Sequence, residues 1–153
     1  MGVIDPRKPP CYSRTCPVRI THPFTEKSTV GLAIIDDQSG VTFVSPFIKQ
    51  FLTIPEASIE DSTQSVITIE GPSSPRPCEI IYNLVVSPLT GNSKIKLPPS
   101  VMQNPIPHAW NQIPSPEDVA SIKGFSHLAG YFPEKDPKWP TLWLIGRDCI
   151  EAQ

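Results

Sequence analysis

Residues 33–44 read AIIDDQSGVTFV, and the fold prediction starts from them. An apolar, β-favouring run delivers Asp36 into a short polar turn, and a second β-favouring run, VTFV, follows directly. An apolar run without alternation is typical of a strand covered on both faces. The stretch therefore predicts a buried strand whose end presents a carboxylate at a tight turn.

A second stretch, LWLIGRDCI at residues 142–150, predicts a matching strand end. An apolar strand reaches Ile145 and Gly146, and Arg147 and Asp148 then open a short helical turn. Each pattern also occurs at ordinary strand ends in unrelated β proteins. The information therefore lies in their order and in the β pattern between them.

Together the two stretches resemble the retropepsins, and in particular the peptidase domain of BEL/Pao retrotransposons. That family's first motif is an apolar pair followed by Asp, Ser or Thr, Gly, and a small residue. Here residues 34–35 supply the apolar pair, Asp36 falls on the catalytic aspartate, and Ser39 falls on the last small residue. Asp37 stands at the Ser or Thr position and Gln38 at the glycine position, so the motif departs from the family twice.

The resemblance spans roughly residues 17–150. Residues 42–44 are similar to the continuation of the first motif in the BEL/Pao branch, and residues 125–137, FSHLAGYFPEKDP, to a segment upstream of its second motif. That second motif is an apolar pair and a glycine before a short helix. Its matches are Leu144, Ile145, Gly146, Arg147 and Asp148.

The resemblance implies a mainly β, closed barrel or sandwich with a flap hairpin, one catalytic Asp per chain, and an active site that forms when two chains meet. Two carboxylates held close together share one proton, so the pair activates water and donates to the substrate carbonyl. The flap, at residues 70–78, is expected to close over an extended peptide that pairs with strand edges. Its candidate tip residues are Gly71, Pro72, Ser73, Ser74 and Pro75.

The two departures favour a domain without peptidase activity. With Asp36 and Asp37 of both chains at the dimer axis, four carboxylates would crowd together. Two unit charges about 4 Å apart repel by about 4 kcal/mol at an effective dielectric near 20. Gln38 adds a side chain where the family has none. Taking Asp37 as the catalytic residue puts Gln38 and Ser39 in the next two places and still leaves the turn without its glycine.

Three functions of different classes are compatible with the sequence. The favoured hypothesis is a retroelement-derived retropepsin-like domain that acts as a dimerisation or peptide- and protein-binding module, as a homodimer or a heterodimer. The second is an active aspartic endopeptidase that works as a dimer, and the third is an unrelated β interaction domain. The first two require the strand ending near residue 36 to lie against the strand ending near residue 145, beneath a hairpin.

Composition limits the partners. The chain has 153 residues and a formal net charge of −2, so it lacks the basic excess that direct nucleic-acid binding requires. Its apolar runs are too short to cross a bilayer, which predicts a soluble intracellular protein, cytoplasmic or nuclear, without a membrane partner. Neither a cofactor nor a metal site is expected, and Cys11, Cys16, Cys78 and Cys149 are expected to be reduced thiols. The histidines are expected at the surface or hydrogen-bonded in the core: His22, His108 and His127.

Twenty prolines exclude long helices and predict short strands joined by turns. Residues 1–16 are expected to form an arm or linker. Residues 17–153 are expected to form one domain with a proline-rich insertion and a short helix around residues 98–124. In that helix Ser115 takes the N-cap and Pro116 the first helical position.

Two further predictions concern the middle of the chain. Residues 65–70, SVITIE, and 78–86, CEIIYNLVV, predict the strands of a hairpin with a mobile tip. Residues 45–52, SPFIKQFL, predict one or two helical turns, with Ser45 as the cap and Pro46 at the first helical position.

Overall fold

One curled sheet dominates the fold. The computed structural model describes residues 12–103, 106–107 and 110–153. Most of the expected arm, residues 1–11, lies outside the described residues, and so do Cys11 and His108. Strand residues make up 33% of the chain against 19% for helix, which confirms the mainly β class.

The secondary structure of the described residues consists of short elements. The strands are β1 (Thr15–Thr21), β2 (Ser28–Ile35), β3 (Phe43–Val44), β4 (Ile59–Gln64), β5 (Ile67–Thr68), β6 (Gly71–Pro72), β7 (Arg76–Ile81), β8 (Val85–Ser87), β9 (Ile95–Lys96), β10 (Ser100–Met102) and β11 (Thr141–Ile145). The α-helices are α1 (Ile48–Leu52) and α2 (Pro116–Ser121). Single 3₁₀ segments span Glu56–Ser58, Trp110–Gln112, Ser126–Tyr131 and Ile150–Ala152.

Nine strands form one sheet in the order β4-β7-β10-β3-β11-β2-β1-β8-β9, and β5 pairs with β6 separately. The sheet curls into a half-barrel, and the closed barrel or sandwich stays a prediction. Closure would require the edge strands β4 and β9 to pair. The edge strand β9 is only two residues long, and among the described strands it pairs with β8 alone.

The core lies on the inner faces of the central strands. In β1, Val18 and Ile20 are buried and Arg19 is exposed, as the alternating pattern predicts. β1 pairs with β2 in antiparallel register along its whole length. In β11, Leu142 and Trp143 are fully buried. The apolar runs of β2 and β11 thus meet in the middle of the sheet, where both faces are largely covered.

The predicted hairpin is present; its returning strand, β7, overlaps the predicted residues 78–86, but its first strand is β4 and not residues 65–70. β4 pairs with β7 from Ile59↔Ile81 to Gln64↔Arg76, so residues 65–70 belong to the outer end of the hairpin and not to its main ladder. Beyond that ladder β5 and β6 extend it, and the turn lies at residues 69–70. The predicted tip residues lie on the returning limb: Gly71, Pro72, Ser73, Ser74 and Pro75.

The shift of the hairpin strands has a packing cause. The alternating residues 65–70 are all exposed, with Ile67 at 81% and Ile69 at 106% of full exposure. The polar strand β4 forms the ladder with β7 instead, and its Ile59 pairs with the buried Ile81. The alternating pattern predicts a strand in this part of the chain, but it does not predict which strand is covered by the rest of the protein.

The two helices differ in how well their start was predicted. In α2 the side chain of Ser115 accepts a hydrogen bond from the Asp118 amide, Pro116 opens the helix, and the Asp118 side chain accepts from the Ser115 amide, which confirms the predicted start. For α1 the predicted cap was wrong: the N-cap is Phe47, without a side-chain bond. Because the Ile48 amide donates to the Ser45 carbonyl at 3.1 Å, a tight turn precedes the helix.

Neither of these helices, nor any other helix among the residues the structure describes, has the length and apolar character required to cross a bilayer.

Candidate functional site

The candidate site lies where the chain crosses over the end of β11. β11 is inserted between β2, to which it runs parallel, and β3, to which it runs antiparallel. Ile35 and Ile145 are register partners, and the Asp36 amide donates to the Ile145 carbonyl at 2.9 Å. The two predicted strand ends are therefore adjacent, as the family resemblance requires.

The turn that carries Asp36 is held largely by its own hydrogen bonds. One carboxylate oxygen of Asp36, Oδ1, accepts from the Gln38 amide at 2.9 Å. Gln38 Nε2 donates to Asp37 Oδ1 at 3.0 Å, and Ser39 Oγ donates to the Val41 carbonyl at 2.7 Å. Asp36 is half-buried, whereas Asp37 and Gln38 are exposed. The two residues that depart from the family motif thus face solvent in the single chain.

Asp37 has a weak counter-charge. Arg14 Nη1 lies 3.8 Å from Asp37 Oδ2, and the two side chains are 57% and 63% exposed. Exposed ion pairs of this kind contribute little to stability, because water already screens both charges. Arg14 also anchors the loop through its backbone, since its carbonyl accepts from the Ile35 amide at 2.7 Å.

Gly146 lies where the backbone of the Asp36 turn approaches the end of β11 closely. A Cβ atom at this position would lie 2.6 Å from the Val41 carbonyl oxygen and 2.9 Å from that of Ser39. The next amide, that of Arg147, donates to the Ser39 carbonyl at 2.9 Å. The turn can therefore rest directly on the end of β11 only when residue 146 has no side chain.

Asp148 and Thr42 lock this crossing. Asp148 Oδ2 accepts from the Thr42 amide at 3.0 Å, and Asp148 Oδ1 accepts from the Thr42 hydroxyl at 2.7 Å. The same hydroxyl accepts from the buried Gly146 amide at 3.1 Å. Thr42 is fully buried. Its role was not predicted, because the sequence offers only a hydroxyl beside an apolar strand, and its partners lie more than a hundred residues away.

A small cavity opens beside Asp36. Its volume is about 240 Å³, and its lining is mainly apolar. The floor comes from Ile34 of β2 and Leu144 of β11, which are register partners. The wall comes from Ile113, in the proline-rich insertion, and Asp36 is also one of the lining residues. Sequence analysis did not foresee this wall.

A second cavity, of about 370 Å³, lies at the base of the hairpin, with Gln64, Val66, Ser73, Arg76, Cys78 and Met102 in its lining. It has no lining residue in common with the cavity beside Asp36. The closure of the hairpin over Asp36 therefore stays a prediction.

The remaining candidate groups do not form a reactive centre in the described part of the chain. No three side chains of His, Cys, Asp or Glu come together there as metal ligands. Cys16, Cys78 and Cys149 are free thiols, and burial raises the pKa of Cys149. The His22 ring is fully buried, and neither ring nitrogen has a partner among the described residues, contrary to the expected surface or hydrogen-bonded histidine.

Comparison with known proteins finds no match to this chain among family models, curated proteins or solved structures.

Proposed function

We propose that this chain is a retropepsin-like domain, derived from a retroelement of the BEL/Pao kind, that acts as a dimerisation or protein-binding module without peptidase activity. One observation carries the proposal: β11 lies between β2 and β3, and the turn bearing Asp36 rests on Gly146 and is locked by Asp148. An ordinary strand end does not require this combination of a buried strand between two partners and a side-chain lock to a distant turn.

The loss of activity is inferred from the chemistry of the turn. A shared-proton pair needs one carboxylate from each chain and a neighbour that donates a hydrogen bond across the axis. Asp37 brings a further negative charge to that place, and its carboxylate accepts a bond from Gln38 within its own chain. In a symmetric pair the four carboxylates would repel one another, which opposes the close approach that catalysis requires.

The binding role draws on strand edges and on the hairpin. β4 and β9 are the outer strands of the sheet and have one free edge each among the described strands. An extended peptide, or a second copy of the domain, can pair with such an edge through main-chain hydrogen bonds. The exposed Ile67 and Ile69 near the hairpin turn add apolar surface for a protein partner.

An active aspartic endopeptidase, working as a dimer, is the second candidate. A specific feature favours it: Asp36 Oδ2 has no hydrogen-bond partner among the described residues, and Asp36 is one of the residues that line a cavity. A partner chain that brings a complete motif would supply the second carboxylate and avoid the crowding of four.

Two measurements on the purified chain test the proposal. The first is incubation with a diverse peptide library from pH 4 to 7, with and without a statine-type inhibitor; we expect no inhibitor-sensitive cleavage. The second is light scattering together with peptide-array binding; we expect a dimer or saturable binding of extended peptides. Cleavage that the inhibitor blocks, and that Asp36→Asn abolishes while the exposed control Asp61→Asn retains it, would establish the endopeptidase instead. A monomer that binds no peptide would contradict the binding role.

A further inference from the structure

We propose that the cavity beside Asp36 binds a basic side chain, lysine or arginine, of an extended peptide. This inference rests on the proposed binding function and specifies its ligand. The cavity volume of about 240 Å³ lies below the range of about 300–1,000 Å³ that is typical of whole small-molecule sites. A cavity of this size suits one long side chain.

The cavity has the two surfaces that a basic side chain requires. Ile34 and Leu144 form an apolar floor, and Ile113 adds an apolar wall. Lysine and arginine lay their methylene stems along such surfaces and keep the charged end at a polar site. Here the polar site is Asp36, whose Oδ2 has no hydrogen-bond partner among the described residues.

The charge of Asp36 decides between a basic and a wholly apolar ligand. An apolar side chain that filled the cavity would remove water from the carboxylate and return no hydrogen bond, which costs free energy. An ammonium or guanidinium group replaces that water with a charge-assisted hydrogen bond. The ligand that complements this cavity is therefore cationic at its tip.

Two basic side chains of the described residues, beside the turn and the cavity wall, have partners other than Asp36. Arg14 lies 3.8 Å from Asp37. Lys135 Nζ donates to the Ile113 carbonyl at 2.7 Å and lies 3.7 Å from Asp118. Neither Arg14 nor Lys135 has a described contact with Asp36, so the Asp36 carboxylate remains available to a ligand.

The insertion holds the wall of the cavity in place. Lys135 ties down Ile113 through its carbonyl, and the Gln112 carbonyl accepts from the Ser13 amide at 2.8 Å. Lys135 Nζ also lies 5.4 Å from the centre of the Trp110 ring. Residues from separate parts of the chain thus shape one cavity.

The test uses two heptapeptides, Ac-Ala-Thr-Val-Lys-Val-Thr-Ala-amide and the same peptide with norleucine in place of lysine, titrated against protein labelled on its Ile and Leu methyl groups. Norleucine keeps the methylene stem and lacks the ammonium group. We expect the lysine peptide to shift the methyl resonances of Ile34, Ile113 and Leu144 and to bind about fivefold more tightly, from an ion-pair contribution of about 1 kcal/mol. The preference should weaken as salt is raised.

Matched variants identify the carboxylate responsible. Asp36→Asn should remove the lysine preference, whereas the neighbouring Asp37→Asn, which removes the same charge outside the cavity lining, should keep it. Equal binding of the two peptides would overturn the basic-side-chain inference and leave the binding function standing. Failure of both peptides to shift these methyl groups at millimolar concentration would also overturn it. The binding function itself fails only on the peptide-array and light-scattering results.

Discussion

Removal of the Thr42 hydroxyl is the sharpest test of the crossing that positions Asp36. Thr42→Val keeps the shape of the side chain and deletes the group that donates to Asp148 Oδ1 and accepts from the Gly146 amide. A lost hydrogen bond to a charged group costs about 1.5–3 kcal/mol, and a buried amide left unpaired costs about 1–3 kcal/mol. One substitution removes both hydrogen bonds, and their two contributions overlap. We therefore expect Thr42→Val to lower the free energy of unfolding by about 2–4 kcal/mol.

Urea unfolding followed by circular dichroism measures this loss, with the m-value expected to stay unchanged. In a domain of this size the same loss lowers Tm by roughly 10 °C. Thr63→Val, at an exposed position of β4, is the matched control and should stay within about 0.5 kcal/mol of the parent. A loss below about 0.5 kcal/mol for Thr42→Val would refute the lock.

A double-mutant cycle measures the interaction free energy between Thr42 and Asp148. Asp148→Asn keeps an acceptor for one of its two bonds, and we expect it to cost about 1 kcal/mol. If Thr42 and Asp148 act on each other, the double variant should lose less than the sum of the single losses by about 1 kcal/mol or more. Additive losses would mean that each residue acts alone.

Three other predictions concern separate parts of the fold. Gly146→Ala should destabilise the protein by more than about 2 kcal/mol in urea unfolding because of the 2.6 Å approach to the backbone, whereas Gly130→Ala, with open space around its Cβ, should change little. Burial lowers the pKa of His22, so the folded state disfavours its protonation. The contribution of His22 to the free energy of unfolding is therefore fully present above its unfolded pKa of about 6.5 and decreases as the pH drops below that value. His22→Leu should reduce this pH dependence when the free energy of unfolding is measured from pH 8 to 5. Ser115→Ala should cost about 1 kcal/mol through loss of the helix cap, and an unchanged urea midpoint would contradict that role.

Sequence analysis performed best where a signal is local. The apolar run before Asp36 and the run before Gly146 each predicted a strand, and the Ser115-Pro116 start of α2 was predicted because a cap depends on residues only a few positions apart. The adjacency of the two strands came from the family resemblance, since no local pattern specifies which strands pair.

The failures share a dependence on packing between distant segments. Residues 65–70 alternate like a half-buried strand, yet their apolar side chains are exposed, because the ladder is formed by the neighbouring β4. His22 was expected to be exposed or hydrogen-bonded and is buried without a described partner. The wall supplied by Ile113 was not predicted either, since a proline-rich segment without periodicity carries no information about the surface it covers.

The residues of the crossing are under two different physical constraints, and this difference supports a binding module. Gly146, Thr42 and Asp148 hold the turn on β11 through close contact and hydrogen bonds, so a change at any of them disturbs the fold itself. Asp37 and Gln38 are exposed, and their side chains contribute an exposed ion pair and a surface hydrogen bond among the described residues. If the chain has the proposed retropepsin-like origin, replacement of a hydroxyl and a glycine at these two places would remove what a catalytic pair needs at small cost in stability. A chain that has Gly146, Thr42 and Asp148 but lacks the hydroxyl and glycine of the family motif can keep its scaffold, its strand edges and the cavity beside Asp36. Under the proposed function, these are the parts that a partner would bind.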